Sequence, residues 1–139
     1  MTRRDSPEPS TPLIRLKRAY ETPARVDGYR VLVDRLWPRG VTKEQLALGT
    51  WQKDLAPSNA LRRWFAHDPK RWEDFVLRYR EELRAAEASV LLDDLARRVR
   101  VGTVTLVYGA RDEEHNNAIV LRDAIVRRSR RGEPPRTGG

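Results

Sequence analysis

The sequence predicts an α/β fold: a single compact domain in which a three- or four-stranded mixed, partly parallel sheet carries helices on both faces. Two short apolar runs, Val31-Leu32-Val33 and TVTLVY at 103–108, have the unbroken hydrophobicity of strands covered on both sides. Between them lies a long helical region, where Trp72, Phe75, Val76, Tyr79, Leu83 and Ala86 recur at helical spacing. Strands separated by helices tend to pair in parallel, because the crossover returns the chain to the starting edge. The strands at 30–34 and 103–108 are therefore expected to be parallel, buried and adjacent.

Residues 1–12 hold Pro and Ser and almost nothing apolar, and read as a flexible tail. Leu13 to Tyr20 alternates, with Ile14 and Leu16 on one face, and reads as a first strand. Thr22-Pro23 and Asp27-Gly28 mark the connection to the central strand as short, so these first two strands are expected to be neighbours. The central strand then changes character within three residues. Asp34 and Arg35 are ionic, Trp37 is large, and Pro38-Arg39-Gly40 breaks the strand. A hydrophobic strand ending in charge, an aromatic and a turn is how α/β proteins build a site at a strand's carboxyl end.

Thr42-Lys43-Glu44-Gln45 fits a capping box, and Gly49 limits the helix it starts. Trp51, Lys53 and Leu55 alternate, which suggests a short extended segment over 50–56. Ser58 suits the N-cap of a helix whose apolar stripe is Leu61, Trp64 and Phe65. Asp68-Pro69 caps the long helix that follows, and another helix is expected over about 89–99. Gly109-Ala110-Arg111-Asp112 turns the chain into a last helix over 114–128. The remainder, 129–139, reads as a basic flexible tail, leaving a domain of 13–128.

The 139 residues suffice for one domain with a real core. No apolar run approaches the roughly 20 residues of a membrane span, and the N-terminus lacks a signal peptide's apolar middle, so a soluble cytoplasmic protein is expected. The absence of Cys excludes thiolate nucleophiles, thiolate metal sites and disulfides. His67 and His115 are the only histidines, too few for a histidine-rich metal site; no metal and no cofactor are implied. The net charge of +8 is uneven: residues 127–139 carry five Arg against one Glu, and residues 13–39 carry seven basic against three acidic side chains. Half the excess thus surrounds the central strand, where a positive field favours anionic ligands.

Arg35, Arg39 and Lys43 follow that strand into a helix N-terminus, whose free N–H groups favour anions. Arg111 and Asn117 follow the last strand, with Tyr108 at its end. If the two strands are neighbours, Arg35, Arg39, Arg111 and Asn117 converge. The competing reading pairs Arg35 with Asp34 or Asp54 and makes Asn117 a helix cap. No Gly-rich phosphate fingerprint is present. Ser58 and Arg62 lie one helical turn apart. Ser58 serves best as a cap, since His67 is roughly 13 Å further along the same helix, too far for a serine–histidine pair. Trp37 either packs or offers a stacking face to a base. For an enzyme, Asp34 or Asp54 is the candidate general base, with the arginines stabilising charge.

The segments DGYRVLVDRLWPRG, WQKDLAPS, LRRWFAHDP, FVLRYREEL, TLVYGARD and NNAIVL together resemble the YeaO-like family of small bacterial proteins, over about residues 13–127. The resemblance implies a compact cytoplasmic α/β domain with no established reaction. The positions that match the family's pattern are Asp34, Arg35, Trp37, Arg39, Asp54, Ser58, Arg62, Tyr79, Tyr108 and Asn117. Arg111 stands where Lys is expected in many relatives, and favours a bidentate contact with an anion.

Three functions fit. The chain binds a small phosphorylated or otherwise anionic ligand, such as a nucleotide, at the strand ends. Alternatively it associates with nucleic acid through the basic 13–39 region, Trp37 and the Arg-rich tail. A third reading is an interaction module for an acidic protein.

Overall fold

The computed structural model describes residues 13–131; the two expected tails, 1–12 and all but the start of 129–139, lie outside the described residues. The elements in chain order are β1 (Ile14–Arg18), β2 (Tyr29–Leu32), α1 (Lys43–Leu46), β3 (Thr50–Trp51), α2 (Asn59–Phe65), α3 (Trp72–Glu82), α4 (Ala86–Val101), β4 (Val104–Tyr108) and α5 (Asn117–Arg131), with 3-10 turns at Arg25–Asp27, Lys53–Leu55 and Pro69–Arg71. Among the described residues no helix is long and apolar enough to cross a membrane.

The four strands form one sheet in the order β1-β4-β2-β3, and every pairing is parallel. The expected mixed character is thus corrected to a wholly parallel sheet. The two buried runs are adjacent, with Val31 opposite Leu106. The first two strands are not neighbours: β4 lies between them. All five residues of β4 are buried, which suits the middle of a sheet and not its edge.

Alternation along the strands divides the core between two faces. Val31, Val33, Val104, Leu106 and Tyr108 join the large cluster built from α2, α3, α4 and α5. Leu32 and Val107 point the other way, into a small cluster with Ala19 and Leu46, flanked by Trp37 and Trp51. Both faces carry helix, but very unequally, since among the described residues the second is covered only by α1 and loops.

Local chemistry sets most boundaries. Thr42 Oγ1 accepts from Gln45 N at 3.0 Å while Thr42 N donates to Gln45 Oε1 at 2.9 Å, so the capping box forms reciprocally. Ser58 Oγ accepts from Leu61 N at 3.1 Å and caps α2. The extended segment expected over 50–56 shrinks to Thr50–Trp51 before a 3-10 turn. The long helix breaks at 83–85, where Ala85 is extended, and α4 starts earlier than expected. Helix α5 is displaced by three residues at each end. Asp112 Oδ1 takes the N–H groups of Glu114 and His115 in a turn, and Asn116 Oδ1 caps the helix by accepting from Ile119 N. At its other end Ser129 is buried, and its carbonyl accepts from Arg100.

Beneath the small cluster lies a buried ionic group. Asp27 is fully buried, and its carboxylate accepts from Lys17 Nζ at 3.1 and 3.2 Å, Arg30 Nη1 at 2.7 Å and Ala24 N at 3.0 Å. Burial opposes its charge, but these donors outweigh burial and hold the carboxyl below its ordinary value. Its carbonyl accepts from Thr105 Oγ1 at 2.7 Å, and Arg30 Nε donates to Leu46 O at 3.0 Å. Gly28 follows with φ +63°, and a Cβ there would stand 2.3 Å from Thr103 O. The turn therefore requires glycine for both conformation and space.

Asp27→Ala would leave the Arg30 and Lys17 cations without their carboxylate. Breaking a buried pair from one side typically costs ~3–5 kcal/mol. Urea denaturation of this variant should show a loss of that order, and a loss below about 1 kcal/mol, the scale of an exposed pair, would overturn the assignment.

Candidate functional site

The carboxyl ends of β2 and β4 lie side by side, and their chains leave the sheet in opposite directions. From β2 the chain passes to α1, whose Leu46 belongs to the small cluster. From β4 it passes to α5, whose Ala118, Leu121 and Ile125 belong to the large one. Adjacent parallel strands whose connections diverge to opposite faces open a crevice, and ligands of α/β proteins bind in such crevices.

A cleft of about 250 Å³ occupies this place. Asp34 and Arg35 enter it from the end of β2, Gly109 from the β4–α5 connection, Asn117 from the first residue of α5, Arg62 from α2, and Phe75 from α3. Phe65 stacks on Phe75 at a centroid distance of 4.3 Å and forms an apolar wall.

Two hydrogen bonds tie the diverging chains together. Asp34 Oδ2 accepts from Gly109 N at 2.8 Å, and Asn117 Nδ2 donates to Val33 O at 2.8 Å. The Asp34 carbonyl also accepts from the Trp51 indole N–H at 2.7 Å, which reaches to β3. Burial raises the Asp34 carboxyl above its ordinary value, against the weaker opposing effects of the Gly109 N–H, Asn117 and His67. Close by, the Tyr79 hydroxyl donates to Leu55 O, and burial holds its proton firmly on.

Arg35 does not pair with Asp34 or Asp54. Its Nε donates to Pro57 O at 3.1 Å and its Nη2 to Ala56 O at 3.3 Å, anchoring the segment that precedes α2. Arg62 is exposed, and its Nη2 donates to Asn59 Oδ1 at 3.3 Å. Neither arginine has a carboxylate partner among the described residues. Both histidines of the chain also line the cleft. Ala66 and His67 end α2 in the left-handed region, with φ of 46° and 57°, and that turn carries His67 to the rim. His115 Nδ1 lies 2.9 Å from Asp112 Oδ2, and its ring meets Trp72 edge-on at 5.3 Å.

The structure brings together Asp34, Arg35, Arg62 and Asn117 of the residues singled out from sequence. It places the others elsewhere. Arg39, Lys43 and Arg111 are exposed and line no part of the cleft. Tyr108 is buried in the large cluster. Trp37 packs edge-on against Trp51 at 5.3 Å, with its indole N–H on Val41 O at 2.6 Å. Asp54 and Ser58 border a separate depression behind Arg35. Ser58 Oγ there donates to Glu82 Oε2 at 2.6 Å while also capping α2, so its role is positional. The sequence offers His67 only as too distant a serine partner and both histidines as too small a metal set, gives Phe65 and Phe75 as helix core, and leaves Asn116 unmarked. The one further signal was that the only two histidines each adjoin a helix end. Among the described residues no cluster of His, Asp and Glu is suited to a metal ion.

Asp34 sets a pH dependence of definite sign. Its folded pKa lies above the unfolded one, so the folded state holds the proton more tightly. Stability from this group is complete below the ordinary value of 3.8 and is lost as pH rises through the folded pKa. Asp34→Asn keeps an acceptor for Gly109 N–H and carries no charge. In urea denaturation from mildly acid to neutral pH, this variant should gain stability relative to the parent as pH rises. A difference independent of pH would contradict the raised pKa.

A family model described as the inactive DUF488-N3 subclade, DUF488-N3i, matches residues 13–137. The uncharacterised protein Rv3073c of Mycobacterium tuberculosis is 43% identical over 108 residues, covering 78% of this chain and 89% of that protein. The uncharacterised protein YeaO of Escherichia coli K12 is 40% identical over 111 residues, covering 79% of this chain and 94% of that one. No solved structure matches the chain. With this likeness running through every segment that builds the cleft, the chain belongs to the YeaO-like family, in the inactive DUF488-N3 subclade.

Proposed function

We propose that the protein binds a small phosphorylated or otherwise anionic ligand, such as a mononucleotide, in the cleft at the carboxyl ends of β2 and β4. The observation that carries this reading is the pair Arg35 and Arg62, two guanidinium groups at a crevice between diverging strands, with no carboxylate partner among the described residues. A guanidinium fork matches the oxygens of a phosphate or carboxylate. The volume sets the scale: about 250 Å³ lies below the ~300–1,000 Å³ of drug-sized ligand sites, and favours a monoester over a dinucleotide. Phe65 and Phe75 are themselves buried and offer a ligand only their edges, so the polar groups carry the recognition, and the Asp34 carboxyl suits a hydroxyl or amine on the same ligand. The description of the subclade as inactive accords with binding in preference to catalysis.

Thermal shift against inorganic phosphate and nucleoside monophosphates tests this reading, since a ligand at a hundred times its Kd stabilises by ~2.7 kcal/mol. At least one of these anions should raise the parent's melting temperature. Arg62→Ala removes only an exposed contact, so it should leave the unliganded protein's melting temperature nearly unchanged and abolish the rise. Arg35→Ala also removes two charge-assisted hydrogen bonds and should lower stability by ~1–3 kcal/mol without ligand. No rise with any anion, or an undiminished rise in Arg62→Ala, would overturn the proposal.

A further inference from the structure

A second positively charged surface lies far from the cleft. Between the carboxyl-terminal parts of α3 and α5 and the start of α4 runs a groove of about 520 Å³. Arg80, Arg84, Arg127, Arg128 and Arg131 line it, and among the described residues no acidic side chain does. The last three, with Ala124, fall at i, i+3, i+4 and i+7 on α5, so one face of that helix forms a basic wall.

The arginines are not equivalent. Arg128 is fixed: its Nη1 donates to Ser89 O, Ser89 Oγ and Asp93 Oδ1 at 2.7–3.0 Å. Arg80 and Arg84 lie 4.0 Å from Asp123 and 3.7 Å from Glu81, loose and exposed pairs of little energy. Arg127 and Arg131 have no carboxylate partner among the described residues, and they stand one helical turn apart. The groove floor, Leu83 and Leu92, is buried and offers little apolar surface to a partner. Among the described residues no aromatic ring lines the groove.

We propose that this groove binds the phosphate backbone of a nucleic acid, without reading base sequence. Two neighbouring unpaired guanidinium groups at the spacing of a helical turn suit successive phosphates. The lack of an aromatic platform removes base stacking, and the covered floor removes the apolar anchor that an amphipathic acidic helix requires. Backbone contact by Lys and Arg is the sequence-independent part of nucleic-acid recognition. The proposal is independent of the cleft, and it locates the contact on α3 and α5, outside the 13–39 region.

The test is fluorescence anisotropy with the full chain and labelled DNA duplexes of two unrelated sequences, alongside labelled polyglutamate. Both duplexes should bind with equal affinity, weakening with salt. Arg127→Glu/Arg131→Glu should weaken binding at least tenfold and reduce the log–log salt slope by roughly 0.9 for each phosphate no longer neutralised. The charge-matched control Arg63→Glu/Arg97→Glu, on exposed positions outside the groove, should retain most of the affinity. Circular dichroism should show both variants folded, and Arg127→Ala with Arg131→Ala serves if the reversal does not fold. Equal weakening in the control, a preference between the two sequences, or no duplex binding would overturn the proposal. Tighter binding of polyglutamate than of DNA through the same arginines would overturn it in favour of an acidic protein.

Discussion

One fully buried carboxylate sets the order of this sheet. Asp27 is held by Lys17 from β1 and Arg30 from β2, and its carbonyl by Thr105 from β4. Three strands therefore meet at one residue, in a connection of only ten residues between β1 and β2. Gly28 lets that connection press against Thr103 where a side chain would collide. The group contains two cations and one carboxylate, and Arg30 Nη2 is buried without a partner among the described residues. An apolar replacement of similar volume would avoid that cost. Such buried ionic groups are weak evidence for stability and better evidence for a device that fixes register. Here the register is what places the end of β2 beside the end of β4.

The partly buried carboxylate of Asp34 has the opposite energetics. Asp27 gathers enough donors to outweigh burial, whereas Asp34 has the Gly109 N–H and weaker contributions from Asn117 and His67, and burial prevails. The adjacent cation, Arg35, gives it no relief, because its guanidinium is directed to the carbonyls of Ala56 and Pro57. One cleft thus holds a carboxyl whose proton is bound more tightly than usual and two arginines without carboxylate partners among the described residues. The hydrogen bonds of Asp34 and Arg35 hold the scaffold, but they do not require a displaced carboxyl beside an exposed Arg62. Titratable groups displaced in this way gather at functional sites, although structural networks displace them too.

The parts of the structure that depend on neighbours in sequence were legible there. The assignments of Thr42 with Gln45 and Ser58 with Leu61 hold, because a cap is chosen by side chains within one turn, whereas Asp68 caps the 3-10 turn at Pro69–Arg71 and not α3 itself. The two buried strands were visible as apolar runs, and their adjacency followed from the helices between them. The insertion of β4 between β1 and β2 was not legible. It depends on a contact between Asp27 and Thr105, 78 residues apart. The break at 83–85 carries no Gly or Pro, so the helical pattern runs through it without a mark. Trp37 had the residue type of a stacking platform, and only the distant Trp51 reveals it as packing. Arg62 was noticed beside Ser58, while two of its actual companions, Arg35 and His115, come from other elements.

Helix α5 connects the two basic regions and gives them different electrostatic backgrounds. At 15 residues and about 1.5 Å each, it is some 22 Å long, nearly three times the ~8 Å Debye length at physiological salt. Its amino end adjoins the cleft, where the helix dipole adds positive potential. Its carboxyl end adjoins the arginine groove, where the dipole is negative and attracts cations. Part of the arginine excess there consequently serves the helix itself, as Arg128 does with its fixed contacts to α4. Dipole compensation extends only over the last turn, however, and Arg80 and Arg84 come from another element. The groove therefore holds more positive charge than α5 needs. A folded domain keeps such charge at a cost in self-repulsion, and that cost is offset when a polyanion lies along it.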